Sequence, residues 1–263
     1  DLSLRLGKDK MYEMFKKFGL GSPLGVDFLG ESGGIIMNYD SAKIVDVARM
    51  GFGQAVAVTP LQLITSICSI VNGGKLYKPY FVRTMTDVDG NIVSQTNPTV
   101  IKNTISQKTS DIMKTMMEDV IKQYSGYYAF IPGYHVGGKT GTSQKYDGNR
   151  LSGEYIASFV GTFPADNPDY VVLVVVDEPG GASYYGSIAA TPYAKKIIEN
   201  IIDYKNYAPS ADLIKDIIQV NNTVKMPNVV GLNPADAVRV IEETGLQVEI
   251  QHEGDIVHSQ FPA

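Results

Sequence analysis

Cysteine is almost missing from this chain: there is one, Cys68, in 263 residues. A single thiol excludes an intramolecular disulfide and a thiolate metal cluster. Cys68 lies in an apolar segment, which reads as a small core residue rather than a nucleophile. So little cysteine fits the cytosol, and equally an extracytoplasmic bacterial protein that needs no disulfides. Long hydrophobic runs are missing too. The longest, Tyr170 to Val176, is far too short to span a bilayer. An excess of positive charge is also lacking: 23 Lys and Arg against 28 Asp and Glu leave a net charge of −5 and a pI near 5.2. That argues against a general nucleic-acid binder. The histidines are few and scattered; His252 and His258 are too isolated for metal ligation, so neither metal nor cofactor is expected. The chain opens at Asp1-Leu2-Ser3 with no signal peptide and no initiator methionine, and the expectation is a piece of something longer.

What is present points to an α+β fold with helices gathered before and after a run of strands. Lys8 to Phe18 carries Met11, Met14, Phe15 and Phe18 at helical spacing, and Gly19 is placed to end it. A glycine-rich loop with a short extended piece follows, Gly19 to Gly34. Thr59-Pro60-Leu61-Gln62 is a strong helix start, with Thr59 as cap, Pro60 in the first turn and Gln62 completing a capping box. Leu61, Ile64, Ile67, Cys68 and Val71 are the expected buried face, and Asn72-Gly73-Gly74 the stop. Lys78 to Met85 and Asn91 to Val93 flank Asp87-Val88-Asp89-Gly90 as a hairpin. Ser106 to Tyr124 reads as a helix with Ile112, Met113, Met116, Met117 and Val120 inward.

After this the period changes from helical to extended. Gly153 to Phe163 and Tyr170 to Asp177 read as antiparallel strands joined by the turn Pro164 to Asp169. The loop Pro179 to Gly186 leads to a helix from Thr191 to Tyr204, striped by Ala194, Ile197, Ile198, Ile201 and Ile202. Residues 206–223 read as a linker. Beyond it, 224–263 form a miniature unit: extended Met226 to Gly231, a helix capped by Asn233-Pro234 with Ala237, Val238 and Ile241 inward and Gly245 at its end, then alternating Leu246, Val248 and Ile250. About forty residues is marginal for an independent core.

The chemistry concentrates in Val136-Gly137-Gly138-Lys139-Thr140-Gly141-Thr142, which offers a cation, two hydroxyls and glycines that let a ligand approach the backbone. Gly133 to Thr140 fits G-x-x-x-x-G-K-[ST], the phosphate loop, and Val171 to Val176 followed by Asp177-Glu178 imitates its acidic partner strand. A phosphate loop must open a helix, whose N-terminal N–H groups bind the phosphates. Gly141 to Gly148 has no helical apolar period, which disfavours that reading. The alternative is a strand at a sheet edge facing a cleft.

Here the sequence resembles class B penicillin-binding proteins. The resemblance rests on Val136 to Gln144, on Tyr155 to Pro164, and upstream on Gly51-Phe52-Gly53-Gln54, Thr59 to Gln62 and Gly25 to Glu31. It covers residues 1–205. Met226 to Gly231, Ala235 to Leu246, Val257, Gln260 and Pro262 resemble a PASTA module. The resemblance implies the penicillin-binding transpeptidase fold in part, and a serine-acylating D,D-transpeptidase of cell-wall synthesis. Implied ligands are a stem peptide ending in D-alanyl-D-alanine and β-lactams, and implied partners are division or sporulation proteins. Implied too is a place on the extracytoplasmic face of the membrane, reached through an anchor outside this chain. It assigns Lys139 a positive charge for proton movement, Thr140 and Thr142 the grip on the terminal carboxylate, the Thr142 N–H an oxyanion-hole place, and Gly138 and Gly141 close backbone approach.

The family's S-x-x-K nucleophile and its S-x-N are not found. No lysine here follows a serine by three residues and no asparagine follows one by two. Asp40-Ser41-Ala42-Lys43 is one residue out of register. The chain is therefore expected to lack a nucleophile and to be inactive alone. A non-catalytic wall-binding piece is the rival of another class, and a β-lactamase-like hydrolase a weaker one. His135 reads as a surface or packing residue, Asp177 and Glu178 as rim or solvated charges. Most tyrosines read as partly buried core, although Tyr127, Tyr128, Tyr184 and Tyr185 could line a groove.

Overall fold

A computed structural model describes residues 1–123, 126–147, 150–180, 183–213, 226–246, 248, 250, 254–258 and 260. Several expected features fall in part outside these: the helix end at Tyr124, Gly148, the middle of the Pro179–Gly186 loop, most of the 206–223 linker, alternate residues of the Leu246–Ile250 run, His252 and Pro262. The chain divides into two compact units, Asp1–Ala208 and Pro209–Ala263.

The first unit opens with two helices the sequence reading only half anticipated. Beside the expected α2 (Lys8–Lys17), a short α1 (Leu2–Leu6) precedes it. Of the expected apolar face only Met11 is buried; Met14, Phe15 and Phe18 are half-buried. The glycine-rich loop is tied by one carboxylate, Glu31, which accepts from the backbone N–H groups of Leu24, Gly25 and Val26. It ends in β1 (Ile35–Ile36), which pairs antiparallel with β2 (Val56–Ala57) across α3 (Ile44–Met50).

Helix α4 (Pro60–Val71) begins as its sequence requires. Thr59 Oγ1 accepts from the Gln62 N–H at 3.1 Å, and Gln62 Oε1 accepts from the Thr59 N–H at 3.0 Å. Its expected orientation is corrected. Val71 is buried as expected, but the other buried positions are Gln62, Thr65, Ser66 and Ser69, whereas Leu61, Ile64, Ile67 and Cys68 are only half-buried. The polar side is tolerated inward because it is hydrogen-bonded: Gln62 Nε2 donates to the loop carbonyls of Ser22 and Gly33, while Ser66 Oγ and Ser69 Oγ donate to the Leu63 and Ser66 carbonyls of their own helix. Buried polar groups cost little once hydrogen-bonded. Leu61 and Ile64 instead line an open groove of about 580 Å³ with Phe28, Phe81 and Leu173.

β3 (Lys75–Tyr77) pairs with β6 (Val100–Asn103), and β4 (Thr84–Thr86) with β5 (Ile92–Gln95) around the expected Asp87–Gly90 turn. The hairpin is shorter than expected, because Lys78 to Arg83 lies outside its ladder. Of the face expected for helix α5 (Gln107–Gln123), Met117 is buried and Met113 and Val120 are half-buried, whereas Ile112 and Met116 face solvent at 49% and 56% exposure; Ser110 and Ile121 are buried in addition. Ser110 faces inward because its hydroxyl accepts from the Gly73 N–H.

The main sheet is antiparallel, in the order β7 (Gly137–Asp147), β8 (Arg150–Phe163), β9 (Tyr170–Asp177). Lys139 lies opposite Val160 and Thr142 opposite Ala157; Phe159 lies opposite Val174. Short α6 (Gly186–Ala189) leads into α7 (Thr191–Lys205), whose Ala194, Ile198 and Ile202 are buried against Phe159 and Phe163 of β8 and Ile121 of α5. Ile197, expected inward, is 41% exposed at the stripe's edge. This is the α+β arrangement read from the sequence.

In the second unit, α8 (Pro234–Glu242) starts at Asn233, whose side chain accepts from the Asp236 N–H. Val229, Ala237 and Ile241 are buried, with Met226, Val240, Leu246, Val248 and Val257 against them; Val238, expected inward, is half-buried. Gln260 closes the unit, accepting from the Val229 N–H and donating to the Pro227 carbonyl.

The Gln62 amide joins the α4 start to two loop carbonyls in a buried place. Gln62→Leu leaves those groups unpaired and is expected to lower unfolding free energy by about 2–4 kcal/mol in urea titrations. A loss below about 0.5 kcal/mol would show that the loops hold without it.

Candidate active site

The sequence-selected residues lie consecutively on β7, an edge strand among the described residues. An edge strand leaves alternate N–H and C=O groups outside the ladder, available to a ligand. By strand alternation Thr140 and Thr142 project from one face and Lys139 from the other. Lys139 and Thr142 are exposed, and Thr140 and Gly141 half-buried. Lys139 Nζ donates to the Thr140 carbonyl at 2.8 Å. Gly138 is buried against the Phe159 ring: a Cβ there would stand 2.4 Å from Phe159 Cζ and 2.8 Å from the Val160 carbonyl oxygen. The absence of that atom lets the lysine-bearing strand lie on the core.

Thr142 makes a long-range contact. Its Oγ1 accepts from the Gly186 N–H at 3.0 Å, across 44 residues of sequence. A Cβ on Gly186 would lie 2.4 Å from the carbonyl oxygens of both Gly141 and Ser158. Only glycine can bring this peptide so close to the strand.

The far end of β7 is fastened to β9. Lys145 Nζ lies 2.9 Å from Asp177 and 2.5 Å from Glu178, and the two carboxylates hold its ammonium above the usual lysine range. Asp177 and Glu178 are thus exposed ion-pair partners. Above them sits an aromatic stack. Tyr155 and Tyr184 lie with ring centroids 3.8 Å apart and an interplanar angle of 11°, and Tyr185 follows at 4.7 Å from Tyr184. Hydrogen bonding to Tyr185 first, and to Tyr155 second, pushes the Tyr184 phenol up to about 12. Tyr184 and Tyr185 are both exposed, at 38% and 55%, as are Tyr127 and Tyr128.

His135 precedes the strand. Its Nδ1 is 2.5 Å from Glu118 of α5, a carboxylate that also takes the Lys122 ammonium at 2.7 Å. Its backbone carbonyl accepts from the Ala165 N–H. These contacts join α5, β7 and the turn after β8. Cys68 is half-buried, and burial pushes its thiol up, away from the reactive thiolate. Among the described residues no group of three or more His, Cys, Asp or Glu could hold a metal ion, and no helix is long and apolar enough to cross a membrane.

The sequence reading missed Gly186, Thr191 and Lys145. The signal available was proximity: Lys145 is three residues past Thr142, and Tyr184-Tyr185-Gly186 closes the glycine-rich loop already marked. Nothing in the sequence alone pairs Gly186 with Thr142.

An antiparallel sheet with Lys-Thr-Gly-Thr on its edge strand and α7 packed against it is the core of an α+β domain. Comparison with known proteins agrees. Residues 1–199 match the penicillin binding protein transpeptidase domain, and residues 224–263 match the PASTA domain. Stage V sporulation protein D of Bacillus subtilis is 37% identical over all of this chain and 41% of its own length. Penicillin-binding protein PbpB of Mycobacterium tuberculosis is 32% identical over 68% of this chain and 28% of its own. The crystal structure of penicillin binding protein 3 from M. tuberculosis complexed with ampicillin superposes with a TM-score of 0.72 at 29% identity, covering 80% of this chain and 49% of that one. The apo transpeptidase domain of Burkholderia pseudomallei penicillin-binding protein 3 gives 0.68 at 29% identity, covering 79% and 60%. The chain belongs to the class B penicillin-binding protein transpeptidase family. It spans well under half the length of the curated relatives it matches.

The tyrosine stack has an alkaline signature. The Tyr184 phenol ionises above its ordinary 10.0, so its hydrogen bonds contribute fully below pH 10 and are lost as pH rises through about 12. Ultraviolet difference titration is expected to show phenols ionising near pH 12, and Tyr184→Phe to remove one of them. An unchanged alkaline limb in that variant contradicts the stack.

Proposed function

We propose that this chain is the carboxylate-gripping part of a peptidoglycan D,D-transpeptidase, which acylates a serine with one stem peptide and passes the acyl group to an amine of another. The observation that carries the reading is the edge strand itself. Lys139, Thr140 and Thr142 stand exposed or half-exposed on β7, and the Thr142 hydroxyl is fixed from behind by Gly186. Thr140 and Thr142 then hold the terminal carboxylate of a D-alanyl-D-alanine peptide, or that of a β-lactam. Lys139 supplies positive charge beside the serine. The Thr142 N–H serves as one oxyanion donor, a role whose loss typically costs about 10²–10³ in rate. Gly138 and Gly141 allow the strand to lie close to core and ligand. No metal or cofactor enters this chemistry.

These 263 residues hold neither S-x-x-K nor S-x-N. A covalent route without its nucleophile does not proceed, so the chain by itself binds without turnover, and the serine comes from elsewhere in the full-length protein. Residues 1–205 then act as the C-terminal part of the transpeptidase domain, 206–223 as linker and 224–263 as a partial PASTA module. The work is done on the extracytoplasmic face of the membrane. The sporulation protein among the relatives supports a sporulation or division role, with proteins of those processes as partners.

A labelled penicillin tests this. No covalent labelling of the 263-residue chain is expected, and the full-length protein should label and lose the label on Lys139→Ala. Robust acylation of the isolated chain would overturn the assignment of the nucleophile elsewhere.

A further inference from the structure

Thr191 is a buried polar residue for which the transpeptidase reading has no use. It is the first residue of α7 and is 0% exposed. Its Oγ1 donates to the Gly186 carbonyl at 3.0 Å, and the Gly186 N–H donates in turn to Thr142 Oγ1 at 3.0 Å. A path of two hydrogen bonds through one glycine therefore runs from the buried start of α7 to an exposed hydroxyl of the site.

The direction of these bonds matters. A threonine hydroxyl has one proton to give and lone pairs to receive. With an N–H donating to it from behind, the Thr142 oxygen is occupied as an acceptor, and its own proton is left for an acceptor in front. A carboxylate is such an acceptor, and hydrogen bonds to ionised groups are the strong ones. The arrangement is rigid. Gly186 rests on the Gly141 and Ser158 carbonyls with no room for a Cβ, so a change in how Gly186 is held is passed to Thr142.

We propose that Thr191 is a positioning residue that, through Gly186, aims the Thr142 hydroxyl at an anionic ligand and so favours carboxylate-bearing acyl donors. This rests on the transpeptidase reading above. Stability alone does not account for it. The Gly186 carbonyl also accepts from the Ala190 N–H at 3.1 Å, so it keeps a partner when the threonine hydroxyl is removed. Thr191→Val keeps the branched shape and replaces the hydroxyl with a methyl group.

The test uses the full-length protein with a penicillin and its methyl ester, reading the second-order acylation constant of each, with matched thermal melts. Thr191→Val should slow acylation by the free acid about 3- to 10-fold while leaving the ester unchanged, and Thr191→Ser should stay within about twofold of wild type on both. Equal losses on acid and ester, or none on either, overturn the proposal. Full-length wild type that takes up no penicillin sinks the transpeptidase reading instead, before the variants are compared. A readout independent of acylation is the Gly186 amide resonance of the 263-residue chain. It should shift in Thr191→Val and not in Thr191→Ser; an unmoved resonance in the valine variant also overturns the proposal.

Discussion

The site depends on a backbone approach too close for any side chain. Gly186 sits with its Cα against the carbonyls of Gly141 and Ser158, two neighbouring strands at once. From there its N–H reaches Thr142, and its carbonyl takes Thr191 and Ala190. The same glycine is the first residue of α6, which leads directly into α7. Ala194, Ile198 and Ile202 of α7 share one core cluster with Phe159 and Phe163. Core packing and ligand geometry share one constraint.

Around that point the edge strand is held at several heights. His135 and Glu118 join its entry to α5, Gly138 lets it lie on Phe159, and Lys145 ties its far end to Asp177 and Glu178. The exposed ion pairs add little to stability in water. Their value lies in geometry: under the proposed function a ligand is met by consecutive residues of one strand, which must then keep its shape. Catalytic use of binding energy requires groups already in place before the transition state forms.

Much of this was legible in the sequence, for identifiable reasons. The α4 start was readable because a capping box is local: Thr59 and Gln62 need only each other. The antiparallel pair β8–β9 was readable because strand and turn chemistry are likewise local. The Lys139–Thr142 motif stood out by residue type, and its flanks removed the phosphate-loop reading. What could not be read was long-range. Helix α4 buries Gln62 on two loop carbonyls, and Ser66 and Ser69 on carbonyls of their own helix, with Thr104 donating to Ser69; hydrophobic periodicity carries no information about such partners. Helix α5 turns Ile112 and Met116 outward for a similar reason, with Ser110 drawn in by Gly73. Gly186 looked like one glycine among several in a loop; only its distance from Gly141 and Ser158 gives it a role.

The lone cysteine, which first served to exclude disulfides, acquires another meaning on α4. Cys68 is half-buried on a helix whose inward side is polar, and burial holds its thiol in the unreactive protonated form. With no second thiol in the chain to confuse the signal, a thiol-directed label reports on this helix alone. The protein thus carries a single chemical handle on α4, at a position remote from Lys139 in sequence.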